Sequence, residues 1–350
     1  MQTYEQTSKW VLVAVLLVAV SGWVSNAAYP AHHAERIEDG ATQLGRPDTA
    51  DEQTFEQLME AAVQGDAEAQ FRLGDRYGRG QGVLRDYTEA ARWYLKAAQQ
   101  GHDLAQNNLG GLYAQGYGVE QDYAEAVRWL RKAVEQDNRY AQYNLGVMLQ
   151  HGRGVPQDYA EAIRLIREAV DQGHTGAMLQ LSNIYGGGQG VSRDYDEALR
   201  WLTKAAEQGN AQAQVQFGSI CAHGLATVPQ DDAEAVRWYR KAAEQGHTGA
   251  LRQLGHRYRS GEGVPQDDVY AHKWYNLVAA QGVEIAAEER DSLAGDMTPE
   301  QIAEAQRLAR EWESTSRSKP KTMGNGNRRM TGPPPYFEFA FPPKQEPEER

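Results

Sequence analysis

One sequence pattern recurs six times with a period of about 36 residues, and this repetition constrains the fold more than any other feature. The units are Asp66–Gly101, His102–Asp137, Asn138–Gly173, His174–Gly209, Asn210–Gly246 and His247–Gly282. A period of this length accommodates two helices and two turns. Because each repeat buries its apolar face against its neighbours, the sequence predicts an all-α solenoid rather than a single globular core.

The second helix of each unit is predicted from its two ends. An aspartate opens it, and a glutamate follows three residues later in all units but the last, which is the spacing of a capping box. The aspartates are Asp86, Asp122, Asp158, Asp194, Asp231 and Asp267, and the glutamates are Glu89, Glu125, Glu161, Glu197 and Glu234. Glycine, which adopts the left-handed backbone easily, ends this helix in every unit except the second, where Asp137 stands.

The apolar residues between these ends predict how the two helices pack. Alanine and tryptophan recur at the spacing of a buried helix face, as in Ala90, Trp93 and Ala97. The first helix carries a large apolar residue followed by a small one, as in Leu73 and Gly74. A mid-helix glycine costs about 1 kcal/mol relative to alanine. Its recurrence therefore predicts a close approach of the first helix to the tryptophan of the second.

Further helices are predicted at both ends of the array. Phe55–Gly65 resembles a second helix without its partner, and Glu284–Ala294 and Pro299–Glu313 form a last pair. This pair carries more charge than the repeats, as a terminal helix that faces water must. The predicted solenoid, with its caps, spans 54–313, and its C-terminal cap is 283–313.

The N-terminal segment has sequence features that predict export of the protein from the cytoplasm. Trp10–Val20 is an unbroken apolar run, and Ser25 and Ala27 fit the small residues of a cleavage site, which makes 1–27 a signal peptide. The alternative is an uncleaved anchor, because Trp10–Ala28 approaches the roughly 20 residues that span a bilayer. In both interpretations the solenoid lies outside the cytoplasm, in the periplasm or anchored at the inner membrane, and the protein meets a membrane only through this segment.

Two segments without helical periodicity flank the array. Residues 28–53 are predicted to form a flexible linker, since they contain Pro30, Gly40, Gly45 and Pro47. Residues 314–350 are rich in proline and charge and predict a disordered tail.

The repeated motif resembles that of the Sel-one-like repeat (SLR) family, a relative of the tetratricopeptide repeats. In the first unit the matching residues are Ala67, Ala69, Gln70, Leu73, Gly74, Tyr77, Gly80, Gly82, Val83, Asp86, Tyr87, Glu89, Ala90, Trp93, Ala97, Ala98, Gln100 and Gly101. The resemblance covers about Phe55–Glu313. It implies a right-handed superhelix of antiparallel helix pairs, and an adaptor that holds protein complexes together.

Several residues that could carry chemistry have a simpler interpretation. His102, His174 and His247 share one position at a helix start, and stacked helix layers lie too far apart for one metal ion to bridge them. The Gly-x-Gly loops, such as Gly80–Gly82, join helix to helix and lack the preceding strand of a phosphate-binding loop. Cys221 stands at a core position of the first helix. The sequence thus predicts capping residues, turns and a buried thiol.

No catalytic residue is predicted, because no nucleophile has an adjacent base and no pair of carboxylates is set apart from the helix caps. We therefore predict a protein that is not an enzyme and has no metal or cofactor. The formal net charge is -12, and an acidic surface repels phosphate backbones. Nucleic acid is accordingly not expected as a partner.

A partner-binding site is predicted on the concave face, which the first helices are expected to line. One position there is polar in all six units: Arg72, Asn108, Asn144, Gln180, Gln216 and Gln253. Side-chain amides donate and accept, so they could clamp an extended peptide backbone. The alternative is that these side chains bond one another or the neighbouring backbone. The adjacent residues Asp75, Arg76, His256 and Arg257 differ between units, which predicts freedom from packing and a role in specificity.

The function expected from these features is a non-enzymatic protein-interaction scaffold in the bacterial cell envelope. An unidentified protein or peptide would bind the concave face. The alternative is a polysaccharide- or peptidoglycan-associated module of an envelope or polymer-export assembly, with an envelope glycan as ligand, and a hydrolase is the remote alternative.

Overall fold

The computed structural model describes residues 54–225 and 227–318, and within these ranges the chain forms fifteen helices joined by turns. Residues 54–172 and 173–318 are two compact units. The helices of the first unit are α1 (Phe55–Val63), α2 (Ala67–Arg79), α3 (Tyr87–Gln99), α4 (Asp103–Gln115), α5 (Tyr123–Val134), α6 (Arg139–His151) and α7 (Tyr159–Asp171). Those of the second unit are α8 (Thr175–Gly187), α9 (Tyr195–Glu207), α10 (Ala211–His223), α11 (Asp232–Glu244), α12 (Thr248–Ser260), α13 (Asp268–Ala279), α14 (Glu284–Ala294) and α15 (Pro299–Ser318).

Neighbouring helices in the chain pack against each other in both units, which is the arrangement of an α-solenoid. The predicted fold class is therefore confirmed, and so are the six helix pairs and the additional helices at each end. The last helix runs on to Ser318, past the predicted boundary at Glu313.

The aspartate side chains cap the second helices as predicted. The reciprocal bond of a capping box, from the aspartate N–H to the glutamate side chain, is not made. Asp86 accepts from the N–H groups of Thr88 and Glu89 at 2.8 and 3.0 Å. Its own N–H, which the glutamate was expected to bind, donates instead to the carbonyl of Tyr77 in the first helix at 2.9 Å. The same bond recurs from Asp122 to Tyr113, Asp158 to Leu149, Asp194 to Tyr185, Asp231 to Cys221 and Asp267 to Tyr258. The antiparallel first helix thus supplies the acceptor that an isolated helix would need from its own side chain.

The mid-helix glycines allow close packing, but against a different residue from the one predicted. A Cβ on Gly74 would lie 2.7 Å from the ring of Tyr94, which follows Trp93. Gly146 and Gly255 approach Ile166 and Tyr275 in the same way, at 2.7 and 2.6 Å. Successive helix residues point about 100° apart, and the tryptophan faces the preceding repeat. Trp93, for example, packs in one cluster with Leu58 and Ala62 of α1.

Two contacts that recur in several repeats join a repeat to the helix before it. The first is a glutamine pair: Gln70 Nε2 donates to the carbonyl of Ala62 at 3.0 Å, and Gln100 Nε2 donates to Gln70 Oε1 at 2.8 Å. Gln106 with Ala98 and Gln136 with Gln106 repeat this arrangement. The motif glutamines are therefore structural.

The second recurrent contact is made by the Gly-x-Gly loop, which confirms its interpretation as a turn. A Cβ on Gly118 would lie 2.2 Å from the backbone of Tyr87 in the preceding repeat, and one on Gly154 would lie 2.2 Å from the backbone of Tyr123. The space in front of these glycines is filled by protein backbone and leaves no room for a phosphate.

The C-terminal end of the array is closed by α14 and α15. Thr298 and Gln301 form the complete capping box expected at the start of α15, with bonds of 2.8 and 3.3 Å. Trp312 of α15 packs edge-on against Trp274 of α13, with the ring centroids 4.8 Å apart. Lys273 Nζ lies over both rings, and burial lowers the pKa of this amine to about 8.

Several predicted segments lie outside the described residues. These are the signal peptide or anchor at 1–27, the linker at 28–53 and the tail from residue 319 onward. In the part of the chain that the structure describes, no helix is both long enough and apolar enough to cross a membrane.

Candidate partner-binding face

The polar position predicted from Arg72, Asn108 and their equivalents lies largely at the interfaces between adjacent repeats. We call these interfaces joints. Asn108, Asn144 and Gln216 are 1 %, 0 % and 4 % exposed. Asn144 Nδ2 donates to Asn107 Oδ1 of the preceding repeat at 2.9 Å, and Asn107 Nδ2 donates to Asn108 Oδ1 at 3.2 Å. For these asparagines the structure supports the alternative considered from the sequence, in which the amides bond one another. Their use as a clamp for a peptide is not tested by these contacts and stays a prediction.

The remaining members of this row are more accessible. Gln180 and Gln253 are half-buried. The side chain of Arg72 is 51 % exposed and pairs with Glu68 of its own helix at 2.6 Å. Arg72 belongs to the first repeat, and no described first helix precedes it.

Asp75 and His256 occupy equivalent positions and make the same contact within their repeats. The hydroxyl of Tyr94 lies 3.5 Å from Asp75, and that of Tyr275 lies 3.1 Å from His256 Nδ1. Ser219 repeats the contact with Tyr239 at 3.1 Å. Burial raises the pKa of Asp75, although Arg79, 2.7 Å away, opposes this shift. These side chains of the first helix therefore hold the second helix in place through its tyrosine hydroxyl.

Arg257 is not freed from packing, contrary to the expectation from sequence. It is 8 % exposed, and its guanidinium donates to Asp232 at 2.8 Å and to Glu262 at 2.5 Å. The equivalent residues in four other repeats are apolar and buried: Leu112, Met148, Ile184 and Ile220. Arg76, at the same position of the first repeat, is half-buried. The apolar residues at this position in the middle repeats were a sequence signal that it belongs to the core.

A position that stays accessible lies four residues after Asp75, and it was not among the residues predicted from the sequence. We call the residues at this position the accessible row: Arg79, Gln115 and His151 in the first unit, and His223 and Ser260 in the second. The first four are half-buried or exposed, and Ser260 is exposed. Residues four apart lie on the same face of a helix, so extending the helical period from Asp75 by one turn would have found this row.

A polar cluster joins the last repeat to the C-terminal cap. Arg252 of α12 pairs with Glu289 of α14, with the guanidinium Nη2 2.7 Å from the nearer oxygen. His256 Nε2 lies 3.5 Å from the same carboxylate. Burial lowers the pKa of His256, and the negative charge of Glu289 opposes this shift. The cluster is half-buried and holds two elements together.

The histidines and the cysteine have the structural roles that the sequence predicted. His102, His174 and His247 each accept a backbone N–H through Nδ1 at the start of a first helix, at 3.3, 3.0 and 3.3 Å. Cys221 is 2 % exposed, and burial raises the pKa of its thiol to about 11. A thiol that remains protonated is a poor nucleophile. Within the described ranges, no three His, Cys, Asp or Glu side chains are grouped so that they could hold a metal ion.

The comparisons with known proteins agree with this architecture. The Sel1 repeat family model matches residues 67–102, 103–138, 139–174, 175–210, 211–247 and 248–283. A protective antigen of uropathogenic Escherichia coli with an SLR fold is 38% identical, with a TM-score of 0.55. That match covers 76% of this chain and 58% of the antigen, so this chain spans little more than half of that protein. Among curated proteins no match is found.

A second solved structure is similar over a like extent. A Sel1 repeat protein from Oxalobacter formigenes is 36% identical, the match covers 68% of each chain, and the TM-score is 0.59. Proteins of this family are typically non-catalytic and bind other proteins. The six tandem matches cover more than half of the chain, and the protein therefore belongs to the Sel1 repeat family.

Proposed function

We propose that this protein is a non-enzymatic scaffold that binds a partner protein or peptide along the first helices of its repeats. The accessible row carries the proposal. Its side chains are half-buried or exposed in every repeat but the fourth, where Gly187 stands, whereas Asn108, Asn144 and Gln216 of the neighbouring polar position are buried. Solenoid proteins use such extended surfaces to bind partners.

The chemistry of the accessible row suits an extended peptide. Gln115 both donates and accepts hydrogen bonds. His223 Nδ1 bonds the carbonyl of Ser219 at 2.7 Å, which leaves its Nε2 to contact a partner. A peptide backbone presents one donor and one acceptor per residue. Asp75 and Arg79 at the start of the array form an ion pair at 2.7 Å, with side chains that are 21% and 14% exposed, so their charges largely offset each other. General affinity for a peptide would come from the amide and imidazole groups.

The proposed site of action is the bacterial envelope, outside the cytoplasm. Support comes from residues 1–27, which have the sequence features of a signal peptide or an anchor. Either outcome would place the solenoid in the periplasm, soluble or tethered to the inner membrane.

Cross-linking capture from an envelope extract tests the scaffold function. Residues 28–350 serve as bait beside a variant with Gln115→Trp and His223→Trp, since added bulk blocks contact whatever the partner's charge. A matched control carries Arg92→Trp and Arg200→Trp, on exposed positions of the second helices. We expect one protein to be captured by the wild type and the control and lost by the first variant.

Two other results would contradict the proposal, one by pointing to a different surface and the other to a different function. Equal capture by all three proteins would place the partner off the first helices and contradict the proposed surface. If no protein is captured and soluble envelope glycans shift the NMR signals of the repeats, the polysaccharide- or peptidoglycan-associated alternative would replace the scaffold.

A further inference from the structure

The first helix of the last repeat, α12, carries a basic stripe formed by Arg252, His256 and Arg259. These residues are four and three positions apart, so they lie on one face of the helix. The equivalent residues of the other first helices include one charged side chain, and it is acidic. They are Phe71, Asp75 and Gly78; Asn107, Gly111 and Ala114; Tyr143, Val147 and Gln150; Leu179, Asn183 and Gly186; and Val215, Ser219 and Ala222. The repeat fold therefore does not need cations at these positions.

Glu289 of α14 contacts the basic stripe, but its carboxylate is committed to Arg252. Arg252 Nε and Nη2 donate to the two carboxylate oxygens at 3.0 and 2.7 Å. His256 Nε2 is 3.5 Å from the same group, which exceeds the roughly 2.7–3.2 Å of an N–H···O hydrogen bond. Among the residues that the structure describes, no carboxylate pairs with Arg259. The stripe therefore presents more positive charge than its own acid neutralises.

The neighbours of His256 make its Nε2 a hydrogen-bond donor. The hydroxyl of Tyr275 lies 3.1 Å from His256 Nδ1. Burial and the negative charge of Glu289 raise the pKa of Tyr275 to about 12, although Arg259 opposes the rise. The hydroxyl thus keeps its proton and donates it to Nδ1, and the carboxylate on the other side of the ring favours the imidazole proton at Nε2. An acceptor closer than Glu289 would satisfy this N–H better.

Both donors reach solvent. The side chain of His256 is 43 % exposed, and Arg259 is exposed. Ser260, the member of the accessible row in this repeat, follows Arg259 and is exposed as well. A partner that lies along the first helices would therefore meet these groups on α12.

We propose that α12 binds an acidic side chain of the partner protein or peptide, with its carboxylate between His256 Nε2 and the guanidinium of Arg259. This inference rests on the proposed function and names the chemistry of the partner at the last repeat. A carboxylate fits because its two oxygens match the parallel N–H donors of a guanidinium and can accept a further hydrogen bond from the imidazole. A neutral amide would leave the charge of Arg259 uncompensated.

The pKa of His256 reports whether a carboxylate is bound. Burial lowers this pKa, the charge of Glu289 opposes the shift, and the charges of Arg252, Arg259 and Arg257 add to it. A second carboxylate beside Nε2 favours the protonated imidazole, so it should raise the pKa. Binding should then tighten as the pH falls through that pKa, because the complex holds the proton more firmly than the free protein does.

Peptide titrations of the full chain test the carboxylate site. The probe is a short Gly–Ser peptide with blocked ends and one central glutamate, and the same peptide with glutamine is its matched control. The readout is the imidazole NMR signals of His256, assigned with a His256→Gln variant. We expect the glutamate peptide to shift these signals and to raise the pKa of His256, and the glutamine peptide to change neither.

Two variants locate the binding. Arg259→Gln, at an exposed side chain, should weaken binding of the glutamate peptide about fivefold or more, since it removes a charge-assisted hydrogen bond. Arg237→Gln makes the same change of charge on α11, at a side chain that is 73 % exposed, and should bind like the wild type. Equal binding of the two peptides, or wild-type affinity in Arg259→Gln, would overturn the proposal.

Two further results separate this inference from its alternatives. Glucuronate bound more tightly than the glutamate peptide would assign the site to an acidic glycan and contradict the proposal. If the glutamate peptide fails to bind while the variant with Gln115→Trp and His223→Trp still loses its captured partner, the carboxylate site is wrong and the scaffold function stands. A bound glutamate peptide without any captured protein would support the carboxylate site and contradict the scaffold.

Discussion

Asn144 Nδ2 donates a hydrogen bond to Asn107 Oδ1 at 2.9 Å, and both residues are 0 % exposed. They lie on the first helices of adjacent repeats. Arg252 and Glu289 make an ion pair at the equivalent place of the last joint. A polar contact thus occurs at the equivalent place of two joints, with different side chains, between two first helices in one case and between a first helix and α14 in the other. Because a buried polar group is costly unless it is paired, this contact favours one register of repeat stacking over others.

Replacing Asn144 by alanine should destabilise the first unit. The substitution removes the donor to Asn107 Oδ1, and a buried acceptor that loses its partner costs about 1–3 kcal/mol. Urea denaturation followed by tryptophan fluorescence measures the change. Gln99→Ala, at an exposed end of α3, serves as the control and should stay within about 0.5 kcal/mol of the wild type. Equal stabilities of the two variants would show that the joint contact is dispensable.

Gly118→Ala should be more harmful than Gly82→Ala, although both glycines have similar backbone angles, with φ of 70° and 73°. Alanine in this conformation costs about 1–2 kcal/mol at either site. At Gly118 the added Cβ would also meet the backbone of Tyr87, whereas Gly82 has open space. Overpacking adds about 1–3 kcal/mol. Thermal denaturation of the two variants compares them directly, and a Gly82→Ala protein as unstable as Gly118→Ala would refute the role of the joint.

Asp137→Gly should stabilise the protein. Asp137 is the non-glycine residue with positive φ among the described residues, at 56°, and it ends α5 where other second helices end in glycine. Relieving this strain should add about 1 kcal/mol of stability. The reverse change at the next repeat, Gly173→Asp, should remove a similar amount, since Gly173 has φ of 78°. Differential scanning calorimetry of both variants checks the opposite signs.

His247→Asn should make the protein less sensitive to mild acid. Burial lowers the pKa of His247 below its usual value of about 6.5, and its Nδ1 must stay unprotonated to accept the N–H of Ala250. The unfolded chain therefore binds the proton more readily. The stabilisation is complete above about pH 6.5 and is lost as the pH falls toward and through the lower folded pKa.

Asparagine performs the same capping at this position without titrating, as Asn210 shows with its bond to Ala213 at 2.9 Å. The unfolding free energy of His247→Asn relative to the wild type should therefore rise between pH 7 and pH 5. Urea titrations at several pH values measure this difference. A difference that does not change with pH would mean that His247 does not contribute to acid sensitivity.

Arg257→Glu should destabilise the second unit, because it sets a carboxylate beside Asp232 and Glu262. Breaking a fully buried ion pair costs about 3–5 kcal/mol. The two acids here are partly exposed, so we expect about 2–3 kcal/mol. Arg237→Glu makes the same change of charge at a side chain that is 73% exposed and should have a much smaller effect. Loss of partner capture in Arg257→Glu with unchanged stability would restore Arg257 as a binding residue.

Local sequence determined the helices and their ends. Asp86 caps α3 because a short acidic side chain reaches the first N–H groups, and Gly80 ends α2 because its backbone tolerates positive φ. Both effects act within a few residues, so the sixfold pattern was sufficient to predict the helix pairs and the repeat fold. The same pattern carried the resemblance to the Sel1 repeat family.

Only the tertiary structure decided which polar side chains reach solvent. Asn144 and Gln115 are both polar residues of first helices, yet one is buried in a joint and the other lies at the surface. Arg257 is buried because its partner Asp232 comes from the preceding repeat. A helical position faces solvent or a neighbour according to how the next repeat stacks, and the polarity of one residue does not report that geometry. The sequence by itself determined the repeating helices, and the stacking of those helices decided which of their polar side chains remain at the surface.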